Sequence, residues 1–410
     1  MSGPATGTGF ERSESFRPRT FLAGLLSGLV FCSGLARFES SRGYHDVFTR
    51  FHIYISPDAQ YYPTLEEMCG VVRTRCRSDQ VLVIVGGNSI FHGVGQPAEK
   101  LWTNELQRQL GDRFAVVNLA FRGAFCTDGA AIVAEVLRKE FPRQIYVANS
   151  GPFAMPEPMG SGTYRYLIWE ARSRGLLERF APREEIIDQY RSQDYTSGQL
   201  FDLWALDFMD RALRFRDLWN WVGYKYLFTI QNPYTPHLPQ AIWPRDRFAD
   251  REDDFEDVPF SKRFRPEIQN AEMEIVRGFS SIFYFKTHAG EWHLKPTYSV
   301  EFNRVVEGAF PDDLKARTLI MLSRNSPFYV RQLDSDEALR EDDAYRDCAH
   351  AWRAAGCEAA DYGRDYEDTD FGDRTHLTAD GGLKLAAQVS SEVQRIAGKL
   401  GYLNGGSPRP

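Results

Sequence analysis

The stretch that most limits what this chain can fold into is Val81-Leu-Val-Ile-Val85, which runs without a break into Gly86-Gly87-Asn88-Ser89. The aliphatic run is too short for a helix and too uninterrupted for a strand with one wet face. It reads as a strand buried on both sides, the kind found in parallel sheets. Gly86 and Gly87 end the strand in a tight turn, and Gln96–Leu110 then carries an amphipathic helical pattern. Open α/β sheets bind ligands beyond the carboxyl ends of their strands, so Ser89 is a candidate nucleophile by position. The plainer reading of this stretch alone is a strand-ending turn with a hydrogen-bonding serine. Two better-known loops are excluded. After Gly93 and Gly95 no third glycine follows at the spacing of a dinucleotide-binding fingerprint. Phe91 stands where the G-x-S-x-G elbow needs its last glycine.

The pattern of alternating strands and helices continues from there. Phe114–Leu119 predicts a second strand, Asp128–Glu140 a helix, and Gln144–Ala148 a third strand that ends at Asn149. The alternation stops after Pro152 and resumes with a strand at Thr318–Leu322. A charged helix over Asp334–Ala355, a short strand at Glu358–Tyr362 and a last helix to about Leu400 follow. This order predicts an α/β fold with a parallel sheet covered on both faces, built from residues 81–152 and 316–400. Residues 38–80 read as an irregular lead-in with one short helix near Pro63–Arg75. Residues 153–315, rich in Trp, Tyr, Phe and Arg, read as a large, mostly helical or irregular insertion, a lid or partner-binding subdomain. It has aromatic-faced helices in Leu200–Tyr226 and an exposed charged loop at Arg245–Asp257. Aromatic stripes at helical spacing belong to a core more often than to a binding face. Residues 401–410 read as a disordered tail.

Charge and address narrow the function classes. The 410 residues carry a net charge of −7, with basic residues scattered, which is no footprint for nucleic acid. Ahead of the folded body, residues 1–20 are polar and disordered in character, with Arg12, Arg17 and Arg19 preceding the uncharged run Phe21–Ala36. That run is slightly short for a membrane span and long for the core of a cleaved signal. Residues 21–37 therefore read as a signal anchor, with secretion after cleavage near Gly34-Leu35-Ala36 as the alternative. Either reading puts the remainder outside the cytoplasm. Cys69/Cys76 and Cys348/Cys357 are close pairs able to bridge in an oxidising compartment, leaving Cys126 over. The cysteines lack the spacing of a zinc site, and His288 and His293 around Glu291, on a loop, are a weak metal-site candidate.

A serine nucleophile needs a base to take its proton, and the base needs a group that fixes its tautomer. Asp373 and His376, three residues apart just before the last helix, supply both from one loop. On its own a D-x-x-H quartet is also compatible with a helix-capping polar cluster. The acyl-transfer intermediate further needs donors for its oxyanion. Gly123 lets a backbone N–H approach without a side chain in the way, Asn149 offers an amide, and the Ser89 N–H is the third candidate.

Taken in order, strand–Gly-Asn-Ser89, strand–Asn-Leu-Ala-x-x-Gly123, strand–Asn149 and Asp373-x-x-His376-Leu-Thr-x-x-Gly resemble the SGNH (GDSL-like) hydrolase superfamily. The resemblance covers residues 80–152 and 316–398. It implies a three-layer α/β/α, flavodoxin-like core, with Ser89 as nucleophile, His376 as base and Asp373 as its orienting group. Gly123, Asn149 and the Ser89 amide would be the oxyanion donors, and no metal or organic cofactor is needed. Asn88 departs from the aspartate usual before the nucleophile, and Ala-Asn149-Ser departs from Gly-x-Asn-Asp. An anchored member with a large insertion is similar to the proteins of alginate O-acetylation and teichoic-acid D-alanylation, which work beside a membrane-bound O-acyltransferase. The expectation is a serine esterase or O-acyltransferase acting on O-acyl groups of a cell-surface polysaccharide. A non-catalytic scaffold with the same fold, and a lipid esterase or thioesterase using the insertion as a lid, are the alternatives.

Overall fold

The computed structural model describes residues 18–41, 54–56, 59–60, 65–121, 124–127, 129–152 and 265–403, together with residues 198, 201 and 205. Five strands form one parallel sheet: β1 (Val81–Gly86), β2 (Phe114–Asn118), β3 (Gln144–Ser150), β4 (Thr318–Ser323) and β5 (Glu358–Tyr362). Their order is β2-β1-β3-β4-β5, with Val83 of β1 opposite Val116 on one side and Ile145 on the other. The helices long enough to cover it or to stand apart from it are α1 (Pro18–Ser41), α2 (Leu65–Arg75), α3 (Trp102–Leu110), α4 (Gly129–Val136), α5 (Pro266–Phe283), α6 (Pro296–Ala309), α7 (Ser335–Ala354) and α8 (Ala379–Lys399).

Because side chains alternate along a strand, β1 feeds two separate cores. Leu82 and Ile84 pack with α2, α4, α6 and α7, through residues such as Val72, Ile132, Val306 and Trp352. Val81, Val83 and Val85 pack with α3 and α8, through Trp102, Leu106, Val389 and Val393, and with Met273 and Val276 of α5. The sheet is therefore covered on both faces, as the uninterrupted apolar strands require. The last part of the expected insertion contributes to these layers: α5 joins one core and α6 the other, on either side of an antiparallel hairpin, Tyr284–Lys286 with Trp292–Leu294. The aromatic-faced helices expected in Leu200–Tyr226 and the charged loop at Arg245–Asp257 lie outside the described residues, apart from residues 201 and 205.

Several boundaries differ from the sequence pattern, each for a local reason. The helix expected from Gln96 begins at Trp102, after a turn of 3₁₀ helix at Ala98–Lys100. Gln96 cannot lead it, because Pro97 follows and its side-chain oxygen accepts the Trp102 N–H at 3.0 Å. At the start of α7, Asp334 accepts from the Asp336 and Glu337 amides while Glu337 accepts the Asp334 amide, a reciprocal cap that holds the first turn. The apolar helix α1 starts at Pro18 and ends at Ser41, longer than the expected 21–37. Its window Pro18–Leu35 has a mean hydropathy of 1.3 and no buried residue, so it is long and apolar enough to cross a membrane.

Neither expected disulfide is present; all the cysteines among the described residues are free thiols. Cys69 lies on α2 and Cys76 immediately after it, with the Cys76 N–H still bonded to the Val72 carbonyl. Seven helical steps separate them by about 10 Å, beyond the roughly 7 Å that a disulfide spans between α-carbons.

Replacing Ile84 with alanine removes a fully buried side chain from the central strand. Chemical denaturation should show a loss of about 2–5 kcal/mol in unfolding free energy with little change in slope.

Candidate active site

From β1 the chain crosses outward to β2 and then returns past β1 to β3, so the direction of winding reverses between β1 and β3. A crevice opens beyond the carboxyl ends of the strands at such a reversal. Ser89 begins the four-residue helical turn Ser89–His92 immediately beyond β1. Two glycines make that position reachable. A methyl group on Gly86 would come within 2.3 Å of the Tyr146 hydroxyl, and one on Gly87 within 2.1 Å of Asn149 Oδ1. Gly87 also has φ = +101°, a backbone conformation that side chains disfavour. Phe91, which spoils the elbow motif in the sequence, is buried against Trp102 with ring centroids 4.9 Å apart. The turn is thus anchored in the core behind the serine.

His376 Nε2 lies 2.7 Å from Ser89 Oγ, and His376 Nδ1 lies 2.6 Å from Asp373 Oδ2. The expected serine, histidine and aspartate are therefore joined in one chain of hydrogen bonds, although Ser89 and His376 are 287 positions apart in sequence. The aspartate end is fixed first. Asp373 Oδ1 accepts the amides of Thr375 and His376 at 2.8 Å each, and the Gly372 N–H donates to the His376 carbonyl at 2.7 Å. Burial alone would raise the Asp373 carboxyl. The neighbouring His376 and the hydrogen bonds from its ring and from the two amides outweigh that and lower it to about 2. An ionised Asp373 only accepts, so the proton belongs on Nδ1 and the Nε2 lone pair faces the serine hydroxyl.

Asn149, at the end of β3, reaches the same turn. The Asn88 N–H donates to Asn149 Oδ1 at 3.0 Å, which fixes which way the amide points. Its nitrogen then donates to Asn88 Oδ1 at 2.7 Å and to Ser323 Oγ at 3.2 Å. Asn88 Oδ1 also accepts the Ile90 N–H at 3.0 Å and so caps the turn that starts with Ser89. Both amide hydrogens of Asn149 are thus engaged. Asn149 braces the turn that bears Ser89, and its amide can donate to a further acceptor only by releasing Ser323, the longer of the two contacts. The Ser89 N–H sits in the first turn of its helix, where no intrahelical acceptor exists. Gly123, the remaining candidate donor, lies outside the described residues.

The expected chemistry left several neighbours unassigned. Ser323 ends β4 fully buried and receives the Tyr362 hydroxyl at 2.6 Å, so β4 and β5 both support Asn149. Its signal was available: it is the first polar residue after Thr318–Leu322, at the level where β1 and β3 carry Ser89 and Asn149. Arg374 lies between Asp373 and His376. Its carbonyl accepts the Ser326 N–H at 2.7 Å, and its guanidinium binds Glu272 of α5 at 2.5 Å and Asn325 at 3.1 Å. Glu272 carries no motif that would have singled it out. The histidines weighed earlier lie elsewhere: His293 belongs to the hairpin and pairs with Asp347 at 3.2 Å.

No protein-family model matches the chain. No curated protein matches it either. Among solved structures, one crystal structure aligns at 13% identity over 78% of this chain and 99% of its own, with a TM-score of 0.30, too low to carry an argument about fold or activity.

The lowered Asp373 carboxyl has a consequence for stability. Its folded value, about 2, lies below the ordinary aspartate value of about 3.9. The stabilisation is therefore fully present above about pH 4 and lost as the pH falls towards 2, amounting to about 2 kcal/mol. Asp373→Asn should flatten that part of the curve of unfolding free energy against pH, as read by denaturant titrations between pH 2 and 6.

Proposed function

We propose that this chain is a serine esterase or O-acyltransferase of the SGNH type, anchored in a membrane by α1 with its catalytic body extracytoplasmic. Its substrates are O-acyl groups, acetyl foremost, on a cell-surface polysaccharide. The observation that carries the reading is the relay from Asp373 through His376 to Ser89, with 2.6 and 2.7 Å between successive heavy atoms. Strand order adds support, since 2-1-3-4-5 is that of flavodoxin-like doubly wound sheets. The exposed apolar helix α1 supports the anchor, and a partner membrane-bound O-acyltransferase is proposed by analogy with anchored members of that superfamily and from the anchor, not from any residue of the site.

In this reading Ser89 Oγ attacks the ester carbonyl carbon as its proton passes to His376 Nε2, and Asp373 stabilises the imidazolium. The carbonyl oxygen becomes an oxyanion for which the Ser89 N–H is a donor, with Gly123 the second donor that the resemblance implies and Asn149 holding the turn or adding a donor. Collapse of the intermediate expels the alkoxide, which takes the proton from His376. Water or a sugar hydroxyl then gives its proton to His376 and attacks the acyl-enzyme, and His376 passes that proton to Ser89 Oγ as the acyl group leaves. Every group in the sequence is a side chain or backbone amide of this chain.

The full-length chain in detergent should react with a fluorophosphonate probe and release p-nitrophenol from the acetyl ester. Ser89→Ala should abolish labelling and lower turnover by at least about 10³-fold. A chain inert to both reagents would point to the scaffold alternative, and a strong preference for long acyl chains would point to a lipid substrate.

A further inference from the structure

Seven residues after the nucleophile, Gln96 is fully buried and bridges the two halves of the candidate site. Its side-chain oxygen accepts the Trp102 N–H at 3.0 Å. Because a backbone N–H can only donate, this contact fixes the amide's orientation and turns its nitrogen the other way. The nitrogen faces the carbonyls of Leu377 and Thr378, at 3.4 and 3.3 Å. Leu377 directly follows His376, and Thr378 caps α8. One side chain on the segment that carries Ser89 thus holds the backbone that carries its base.

The surroundings are built around this contact. Trp102, whose N–H orients Gln96, donates its indole N–H to the Phe91 carbonyl at 2.9 Å, inside the helical turn that begins with Ser89. Asn118 at the end of β2 donates to the same carbonyl at 3.2 Å. On the other side, the double glycine after the histidine block leaves room. A methyl on Gly382 would come within 2.8 Å of Gln96 Nε2, and one on Gly381 within 2.1 Å of the Asp370 carbonyl. Gly381 and Gly382 therefore let the start of α8 approach both the Asp370 backbone and Gln96.

We infer that Gln96 is a positioning residue: it sets the distance between His376 Nε2 and Ser89 Oγ by tying the Leu377–Thr378 backbone to the turn that bears the serine. It touches no reacting atom. This inference rests on the proposed serine chemistry, and it adds a residue that neither the motif blocks nor the relay itself includes. A buried amide bonded at both ends is costly to leave half-satisfied, and a shift of about 1 Å in a catalytic pair costs on the order of a hundredfold in rate.

The test compares wild type, Gln96→Met and Ile396→Ala as full-length chains in detergent. Methionine keeps the length and most of the volume but removes both hydrogen-bonding ends. Ile396 is fully buried near the far end of α8, so its replacement loosens the same helix away from the site. The rate of fluorophosphonate labelling is measured, in which Ser89 Oγ bonds to phosphorus, fluoride leaves and the serine proton passes to His376. The far-downfield proton spectrum reports the His376 Nδ1–H held by Asp373. For Gln96→Met we expect labelling at least about tenfold slower, KM for p-nitrophenyl acetate within about twofold of wild type, and a shifted or broadened downfield signal. Ile396→Ala should lower the melting temperature while keeping the labelling rate and the signal. Labelling of Gln96→Met at the wild-type rate with an unchanged signal overturns the inference and leaves the proposed function standing. Equal slowing in Ile396→Ala overturns it too, since the effect would then be general loosening of α8. A wild-type chain that does not label at all overturns the proposed function and this inference with it.

Discussion

The site depends on how closely β1 and β3 approach one another where β1 ends. Two parallel strands lie side by side there, and the backbone leaving β1 must turn across the end of its neighbour. Neither Gly86 nor Gly87 has a Cβ, and a Cβ at either position would collide with Tyr146 or Asn149. Given that clearance, the Asn88 N–H reaches the Asn149 amide, the amide reaches back to Asn88, and Asn88 caps the turn that starts with Ser89. The serine's position follows from a close steric fit and a closed ring of neutral hydrogen bonds. Local propensity has little part in it.

The neutral ring and the charged relay meet at the serine and do different work. Around Asn88 and Asn149 the partners are amides and hydroxyls, which orient a turn without placing charge beside Ser89. On the other side of Ser89, Asp373 is kept ionised by two backbone amides and the imidazole. A carboxylate there fixes the ring's tautomer and leaves the Nε2 lone pair towards the serine. Asn88 fits this arrangement: its oxygen accepts from the Asn149 amide and the Ile90 N–H, the two contacts that a carboxylate oxygen would make there, without placing a charge beside Ser89.

Much of this was legible in the sequence. A strand buried on both faces announces itself by an apolar run, so β1 to β4 were readable to within two residues at their ends, whereas β5, Glu-Ala-Ala-Asp-Tyr at the sheet edge and only partly buried, was readable from the strand–helix alternation. Ser89, His376 and Asp373 were readable because each stands at a strand end or in a loop that opens a helix, with chemistry that needs the others. Ser323 could be singled out by its place at the end of a strand, but its partner, like the meaning of Gln96 and Glu272, was not legible. Their roles come from contacts made over long stretches of chain, 281 positions in the case of Gln96 to Leu377 and 174 for Asn149 to Ser323. A single sequence carries no signal for such pairings. The late start of α3 is a different, local miss: Pro97 and the Gln96 side chain, six positions from Trp102, hold the preceding turn out of the helix, and apolar periodicity registers neither.

The disulfide expectation failed for a different reason, and the failure bears on how the core is held. Spacing in sequence made Cys69 and Cys76 look like partners, but a helix converts seven positions into distance along an axis and takes the two thiols apart. The cysteines at 69, 76, 126, 348 and 357 are all buried within the single apolar layer that α2, α4, α6 and α7 form on the sheet. There a free thiol acts as a small apolar group. Burial also pushes the thiols of Cys76 and Cys357 up, to about 11 and about 12, which keeps them protonated and unreactive at neutral pH. The core on that face is therefore held by packing alone. An oxidising compartment need leave no covalent mark on it, so reduced cysteines and an extracytoplasmic body are compatible in this fold.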